Sequence, residues 1–265
     1  MNPRFRLLKK YFTYHFNASN SRGHGVHSPF VFDFITNILL DKRKYESYTI
    51  IEAIRADMLQ NTEGIMVEDF GAGSIVQPSS LRTVRTIARS SLKNSKFSQL
   101  LYRIVQYYKP STIVELGTSL GITTCYLASG NPASQVFTFE GSKNIASIAI
   151  NNFNIHQFEN IELIVGNFDD TLKDTIKKLE SIGLAFIDGN HRKIPTLQYF
   201  HLLLKAATPD AIFIFDDIHW SDGMEEAWQE IKEHSAVTLS IDLFFVGLVF
   251  FSPQFKAKQH FTIRF

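Results

Sequence analysis

At 265 residues, with 27 Lys and Arg against 26 Asp and Glu for a net charge of +1, the chain can bury a substantial core and is too evenly charged to wrap a nucleic acid by electrostatics alone. Its single cysteine, Cys125, excludes an internal disulfide framework. No apolar run is long enough to cross a bilayer, and the basic, aromatic start MNPRFRLLKKYFTYHF lacks the apolar core and cleavage site of a secretory signal, so a cytoplasmic protein is expected.

The first hundred residues show no regular alternation of strand and helix. Residues 31–40 and 50–59 read as short helices and 66–70 as a brief strand. GHG at 23–25 reads as a loop, and so does GAGS at 71–74, because Pro78 stands where a phosphate-binding helix after GAGS would have to run. Ser79 or Ser80 is then expected to cap a helix. Along it Arg82, Arg85, Arg89, Lys93 and Lys96 recur at steps of three or four, with Leu81, Val84, Ala88 and Leu92 on an adjacent face. No acid falls between Asp69 and Glu115, so this basic stripe is either a solvated face or an electropositive lid that draws in an anionic substrate.

From Thr112 the pattern turns to strand, helix, strand, helix, the mark of a mainly parallel sheet covered on both faces. Strands are expected at 112–115, 135–140, 161–165, 184–188 and 211–215, with helices starting near Gly121, Ser142, Phe168, Pro195 and Ser221. AVTLSIDL and VGLVFF lie too close together for a crossover helix and should form an antiparallel hairpin, with HFTIRF as an additional edge strand.

IVELGTSLG, residues 113–121, sets the expected chemistry. A β-branched run ends in Glu115, and Gly117 and Gly121 bracket a polar turn that leads into a helix. Glycines let the backbone pass close to a ligand, and the helix start offers free N–H groups. A carboxylate there would repel a pyrophosphate and attract an ammonium or a sulfonium, which favours S-adenosylmethionine over NAD. The same letters satisfy G-x-S-x-G, so a serine hydrolase with Ser119 as nucleophile is a rival, although few strands precede the turn. Other acids fall at strand ends: Glu140, Asp188, and Asp216 with Asp217. Open parallel sheets bind ligands at that edge, and Glu140 stands about 20 residues beyond the turn, where a carboxylate accepts ribose hydroxyls.

On ELGTSLG and FEG, residues 98–265 resemble the class I S-adenosylmethionine-dependent methyltransferases. The resemblance implies an α/β Rossmann-like seven-stranded sheet of order 3-2-1-4-5-7-6, with strand 7 antiparallel, and leaves residues 1–97 as a mainly helical lid. It also implies that Glu115, Gly117 and Gly121 line the methionine side and that Thr118, Ser119 and Thr123 hydrogen-bond the cofactor. Glu140 would hold the ribose, and Asn167 and Phe168 of VGNFDDTL would lie by the adenine. The stretch SRGHGVHSPFVF resembles an uncharacterised bacterial branch of that family, and its His24 and His27 sit in a glycine loop.

LAFIDGNHRK and IFIFDDIHW are similar to segments of the metal-dependent O-methyltransferases of catechol and macrolide-sugar type. By that likeness Asp188, Asp216 and Asp217 would hold Mg²⁺, Asp188 also bordering the cofactor, and hard oxygen ligands suit that cation. Coordination lowers the pKa of an acceptor hydroxyl and fixes its oxygen. His191 stands where the catechol-type enzymes place a lysine base, and His219 competes with it for that role. The expected substrate is a small hydroxylated acceptor, anionic if the basic stripe guides it. Without an Asn-Pro-Pro-Tyr or Asp-Pro-Pro-Tyr segment, nucleic acid is the weaker partner class. A catalytically silent S-adenosylmethionine-binding module is the third reading, and homo-oligomerisation is left open.

Overall fold

A computed structural model of the chain describes residues 3–19, 27–69 and 77–265. The GHG loop with His24, and GAGS at 71–74, lie outside the described residues. In chain order the elements are α1 (Pro3–Asn17), α2 (Pro29–Phe34, continued by a π-helical turn Ile35–Leu39), α3 (Glu46–Gln60), β1 (Gly64–Asp69), β2 (Gln77–Thr83), α4 (Val84–Ser91) and α5 (Ser95–Tyr108). Then follow β3 (Thr112–Leu116), α6 (Ile122–Gly130), β4 (Gln135–Glu140), α7 (Lys143–Ile155), β5 (Ile161–Val165), α8 (Phe168–Ile176), β6 (Ile182–Ile187), α9 (Lys193–Leu204), β7 (Ala207–Asp216) and α10 (Asp222–Glu233). The chain ends with β8 (Leu239–Asp242), β9 (Val246–Phe250) and β10 (Gln259–Thr262).

The chain forms two compact units, residues 42–180 and residues 1–41 with 181–265. In the first, β3, β4 and β5 pair in parallel in the order 5-4-3, so that Glu115 lies beside Thr138 and Glu140 beside Val165. In the second, β6 and β7 are parallel, β9 runs antiparallel to both β7 and β8, and β10 adds in parallel to the outer side of β8. Taken unit by unit, these are the 3-2-1 and 4-5-7-6 halves of the expected order, with HFTIRF supplying the additional edge strand. Ile113, Val114 and Leu116 of β3 and Leu184 to Ile187 of β6 are buried as continuous apolar runs, the composition of strands covered on both faces. In the second unit the Trp228 ring of α10 lies over Gly247 of β9, where a Cβ would come within 2.7 Å of it.

The expected single basic helix is corrected. Residues 77–83 form a strand that pairs antiparallel with β1, and the helix is capped by Thr83, whose hydroxyl accepts from the Thr86 N–H at 3.2 Å, not by Ser79 or Ser80. The strand wins because β1 offers a partner: Ile65 and Val67 face the core while Leu81, expected on the helix's apolar face, is 72% exposed. Asn94 then caps a separate helix by accepting from the Lys96 N–H at 2.9 Å, so the cations from Arg82 to Lys96 are divided among a strand, two helices and the link between them. Cys125 is buried, as its place in the helix after the turn implied. Among the described residues no helix is long and apolar enough to cross a membrane.

Candidate active site

In the first unit the glycine turn is built by φ values that favour glycine, +109° at Gly117 and +83° at Gly121, with Ser119 also left-handed at +47°. Gly121 caps α6, and a Cβ there would stand 2.6 Å from the Phe153 ring and 3.2 Å from the Ala149 Cβ. The Gly117 and Thr118 N–H groups donate to the Phe139 carbonyl, which ties the turn to the end of β4. Three contacts that the sequence did not announce fix it further. Asn152 of α7 donates to the Leu120 carbonyl at 3.1 Å, Ser91 of α4 shares a hydrogen bond with Ser119 at 2.8 Å, and the Thr118 hydroxyl meets that of Thr138 at 2.6 Å. Ser119 therefore has a hydroxyl rather than an imidazole as its partner, and its N–H is engaged with Glu140. A nucleophile elbow needs a base at the serine, and among the described residues the Ser119 hydroxyl meets only that of Ser91.

Glu140 gathers the pocket edge. Its Oε2 accepts the Ser119 N–H and its Oε1 the Ser142 N–H, both at 2.9 Å. Burial raises its pKa, opposed by the Ser142, Ser119 and Gly141 N–H groups. An ionised carboxylate offers about four acceptor sites, so capacity remains for a diol. Gly166 donates to the Glu140 carbonyl, bringing the end of β5 to the same edge. There Asn167 is half-buried and caps α8 by accepting from the Asp169 N–H, while the Phe168 ring meets Phe139 edge-on at 6.4 Å.

Glu115 lies deeper than the sequence suggested. It is fully buried, and its Oε2 accepts from the Thr124 and Thr138 hydroxyls at 2.5 and 2.7 Å. Its Oε1 is buried without a hydrogen-bond partner among the described residues. Burial pushes its pKa up to about 7, against the pull of the two threonines and with a further push from the Glu140 charge. Thr123 is buried in the first turn of α6. Thr138 was the signal available in the sequence: a polar residue in the apolar strand QVFTFE, at the register position of Glu115.

In the second unit Asp188 follows β6 and Asp216 ends β7. Ligand atoms of Asp188, His191 and Asp216 lie within 4.8 Å of one another, and His191 Nε2 is 3.6 Å from Asp188 Oδ1, close but beyond a hydrogen bond. Asn190, left-handed at φ +56°, turns the chain between the two and is held by the Tyr199 hydroxyl at 3.2 Å. Asp217 is not one of the three converging groups. It adopts φ +53° and donates its N–H to the Phe245 carbonyl at 2.7 Å, anchoring the loop to the hairpin.

His219 is engaged at both ring nitrogens. Nδ1 meets Glu225 Oε1 and Nε2 meets Asp242 Oδ2, each at 2.9 Å, and the ring stacks on Phe244. Burial works to lower its pKa, but the two carboxylates outweigh it and hold the value above that of a free imidazole. A ring so clamped between two carboxylates braces the loop after β7. Asp242, the missed partner, comes from the terminal hairpin and carries no local signal.

A family described as "Methyltransferase domain" matches residues 114–218, from β3 to just beyond the β7 carboxylates. Over those residues the chain is similar to a methyltransferase domain. Its strand halves are those of the Rossmann-like class I methyltransferase fold. The chain is 31% identical over 110 residues to a tRNA (guanine-N(7)-)-methyltransferase of Mycoplasma mobile, which covers 39% of this chain and 55% of that protein. It is 32% identical over 111 residues to the O-methyltransferase imqG of Aspergillus flavus, covering 40% and 44%. The chain thus matches about half the length of these curated relatives, 55% and 44%. The crystal structure of the O-methyltransferase from Bacillus cereus in complex with SAH shares the methyltransferase fold, with a TM-score of 0.56 over 83% of this chain and 97% of that one at 20% identity.

Proposed function

We propose that this chain is a methyltransferase that transfers a methyl group from S-adenosylmethionine to the hydroxyl of a small acceptor, with a divalent cation, Mg²⁺ in the first instance, held at Asp188 and Asp216. The observation that carries the metal-dependent reading is the convergence of Asp188, His191 and Asp216 after adjacent parallel strands. Two carboxylates at that separation suit a hard divalent ion, and without one they would repel. The fit to the cofactor rests on Glu140, a half-buried carboxylate with acceptor capacity to spare beside a turn shaped by glycines.

S-adenosylmethionine supplies an electrophilic sulfonium methyl. A cation held by Asp188 and Asp216 would supply charge that lowers the pKa of an acceptor hydroxyl. The chain's own residues do the rest. Glu140 orients the ribose, and Glu115 braces the turn from beneath through Thr124 and Thr138. Asn167 and Phe168 stand at the end of β5 for the adenine. His191 is the base in this reading, because its Nε2 lies beside the aspartates without a hydrogen bond to Asp188, whereas both nitrogens of His219 are committed to carboxylates. Asp217 positions the loop through Phe245. In this reading residues 98–265 hold the chemistry and residues 1–97 are the lid region; within its unit Ser91 reaches Ser119 of the turn. The relative from Mycoplasma mobile acts, by its name, on tRNA; the even charge of this chain favours a small acceptor.

Calorimetric titration with Mn²⁺, and with Mg²⁺ in competition, tests the metal. The wild-type chain binds one ion, and Asp188→Ala and Asp216→Ala each weaken it at least tenfold. Unchanged binding in both variants overturns the metal assignment.

A further inference from the structure

Helix α1 has two apolar faces, and the fold uses one. Leu7, Tyr11, Tyr14 and Ala18 pack with Phe244, and Tyr14 donates its hydroxyl to the Ile263 carbonyl. Lys10 pairs with Glu225 at 2.7 Å, and Arg6 pairs with Asp222. These contacts fasten the helix to its own unit by one side. The other side carries Phe5, Leu8, Phe12 and Phe16, exposed by 64%, 49%, 52% and 77%. Steps of three and four residues line them into one stripe, roughly 135° around the helix from the packed one at 3.6 residues per turn. Single exposed apolar residues are ordinary, but four large ones in line mark an interaction surface.

The charge around the stripe has one sign. Lys9 and His15 are exposed at its borders, and in the sequence no acid precedes Asp33. Arg6 and Lys10 are matched by acids of their own unit, and pairing this face with its copy on a second chain would add a second Lys9 with no acid of α1 to meet it, which like charges oppose. A surface that is apolar just below a layer of negative charge matches both features. We infer that α1 docks the protein onto an anionic lipid bilayer, with Phe5, Leu8, Phe12 and Phe16 entering the boundary between headgroups and acyl chains and Lys9 lying among the phosphates.

The inference is independent of the reaction, since it uses no residue of the turn or of the acidic site. The test is co-sedimentation of the full chain with phosphatidylcholine vesicles, with or without phosphatidylglycerol. The wild-type chain binds the anionic vesicles at least tenfold more tightly than the neutral ones, and binding falls as salt rises. The double variant Phe12→Ser, Phe16→Ser loses at least tenfold of that affinity and Lys9→Glu several-fold, both keeping the wild-type melting temperature because the side chains are exposed. Leu8→Ser gives a second, milder removal of the stripe should the double variant misfold. No binding to anionic vesicles overturns the inference. So does equal binding by wild type and stripe variants, or a wild-type dimer that the double variant dissolves while lipid affinity stays absent.

Discussion

Gly121 is the position where the turn's geometry can be tested most sharply. Alanine there meets two penalties at once. The left-handed φ of +83° costs an L-residue about 1–2 kcal/mol. The added Cβ would stand 2.6 Å from Phe153 Cε1, 2.8 Å from Cζ and 3.2 Å from the Ala149 Cβ, inside the cluster that holds Ile122, Cys125 and Tyr126. Overpacking of this kind costs about 1–3 kcal/mol. The sum, about 2–5 kcal/mol, lowers the melting temperature by roughly 4–20 °C in a chain of this size. Differential scanning fluorimetry reads it directly, and Gly223→Ala is the control. Gly223 has only Lys193 and Ser221 atoms nearby at 3.7–3.9 Å and lies in helix α10, so alanine is neutral or slightly stabilising there. A Gly121→Ala variant that melts within about 2 °C of wild type would refute the account of the turn.

Two further substitutions probe the carboxylates of the first unit. Glu140→Gln keeps one acceptor but turns an amide N–H₂ toward a backbone donor and removes the charge, so the dissociation constant for S-adenosylhomocysteine rises about 10- to 100-fold, from about 1.5–3 kcal/mol per charged hydrogen bond; calorimetry measures it. Glu115 makes stability depend on pH. Its folded pKa of about 7 lies above the ordinary carboxyl value of 4.5, so the folded state holds a proton that the unfolded state releases. The carboxyl is therefore harmless below the unfolded value and increasingly costly as pH rises through about 7. Glu115→Gln should flatten that part of the melting curve against pH, and an unchanged slope between about pH 5 and pH 8 contradicts the direction of the shift.

The strands of the sheet were legible because β-branched runs such as TIVEL and LAFI need both faces covered, and the turn was legible because only glycine serves its φ values. The boundaries 135–140 and 161–165 in the sequence are those of β4 and β5. What failed was the helix read from the basic residues: a spacing of three and four is met equally by a strand and two short helices, and the choice depends on β1 as a partner and on Thr83 and Asn94 as caps. The site was legible in residue type but not in contact. Asp188 and Asp216 share a rim because parallel strands end together. That both nitrogens of His219 are taken depends on Asp242, 23 residues away, and that Ser119 meets Ser91 depends on where α4 comes to lie.

The central claim is that the glycine turn and Glu140 hold a sulfonium nucleoside. Titration of the wild-type chain with S-adenosylhomocysteine in a calorimeter tests it most directly. The account predicts saturable binding to a single site, weakened by Glu140→Gln. A folded wild-type chain that takes up none of the nucleoside would contradict it.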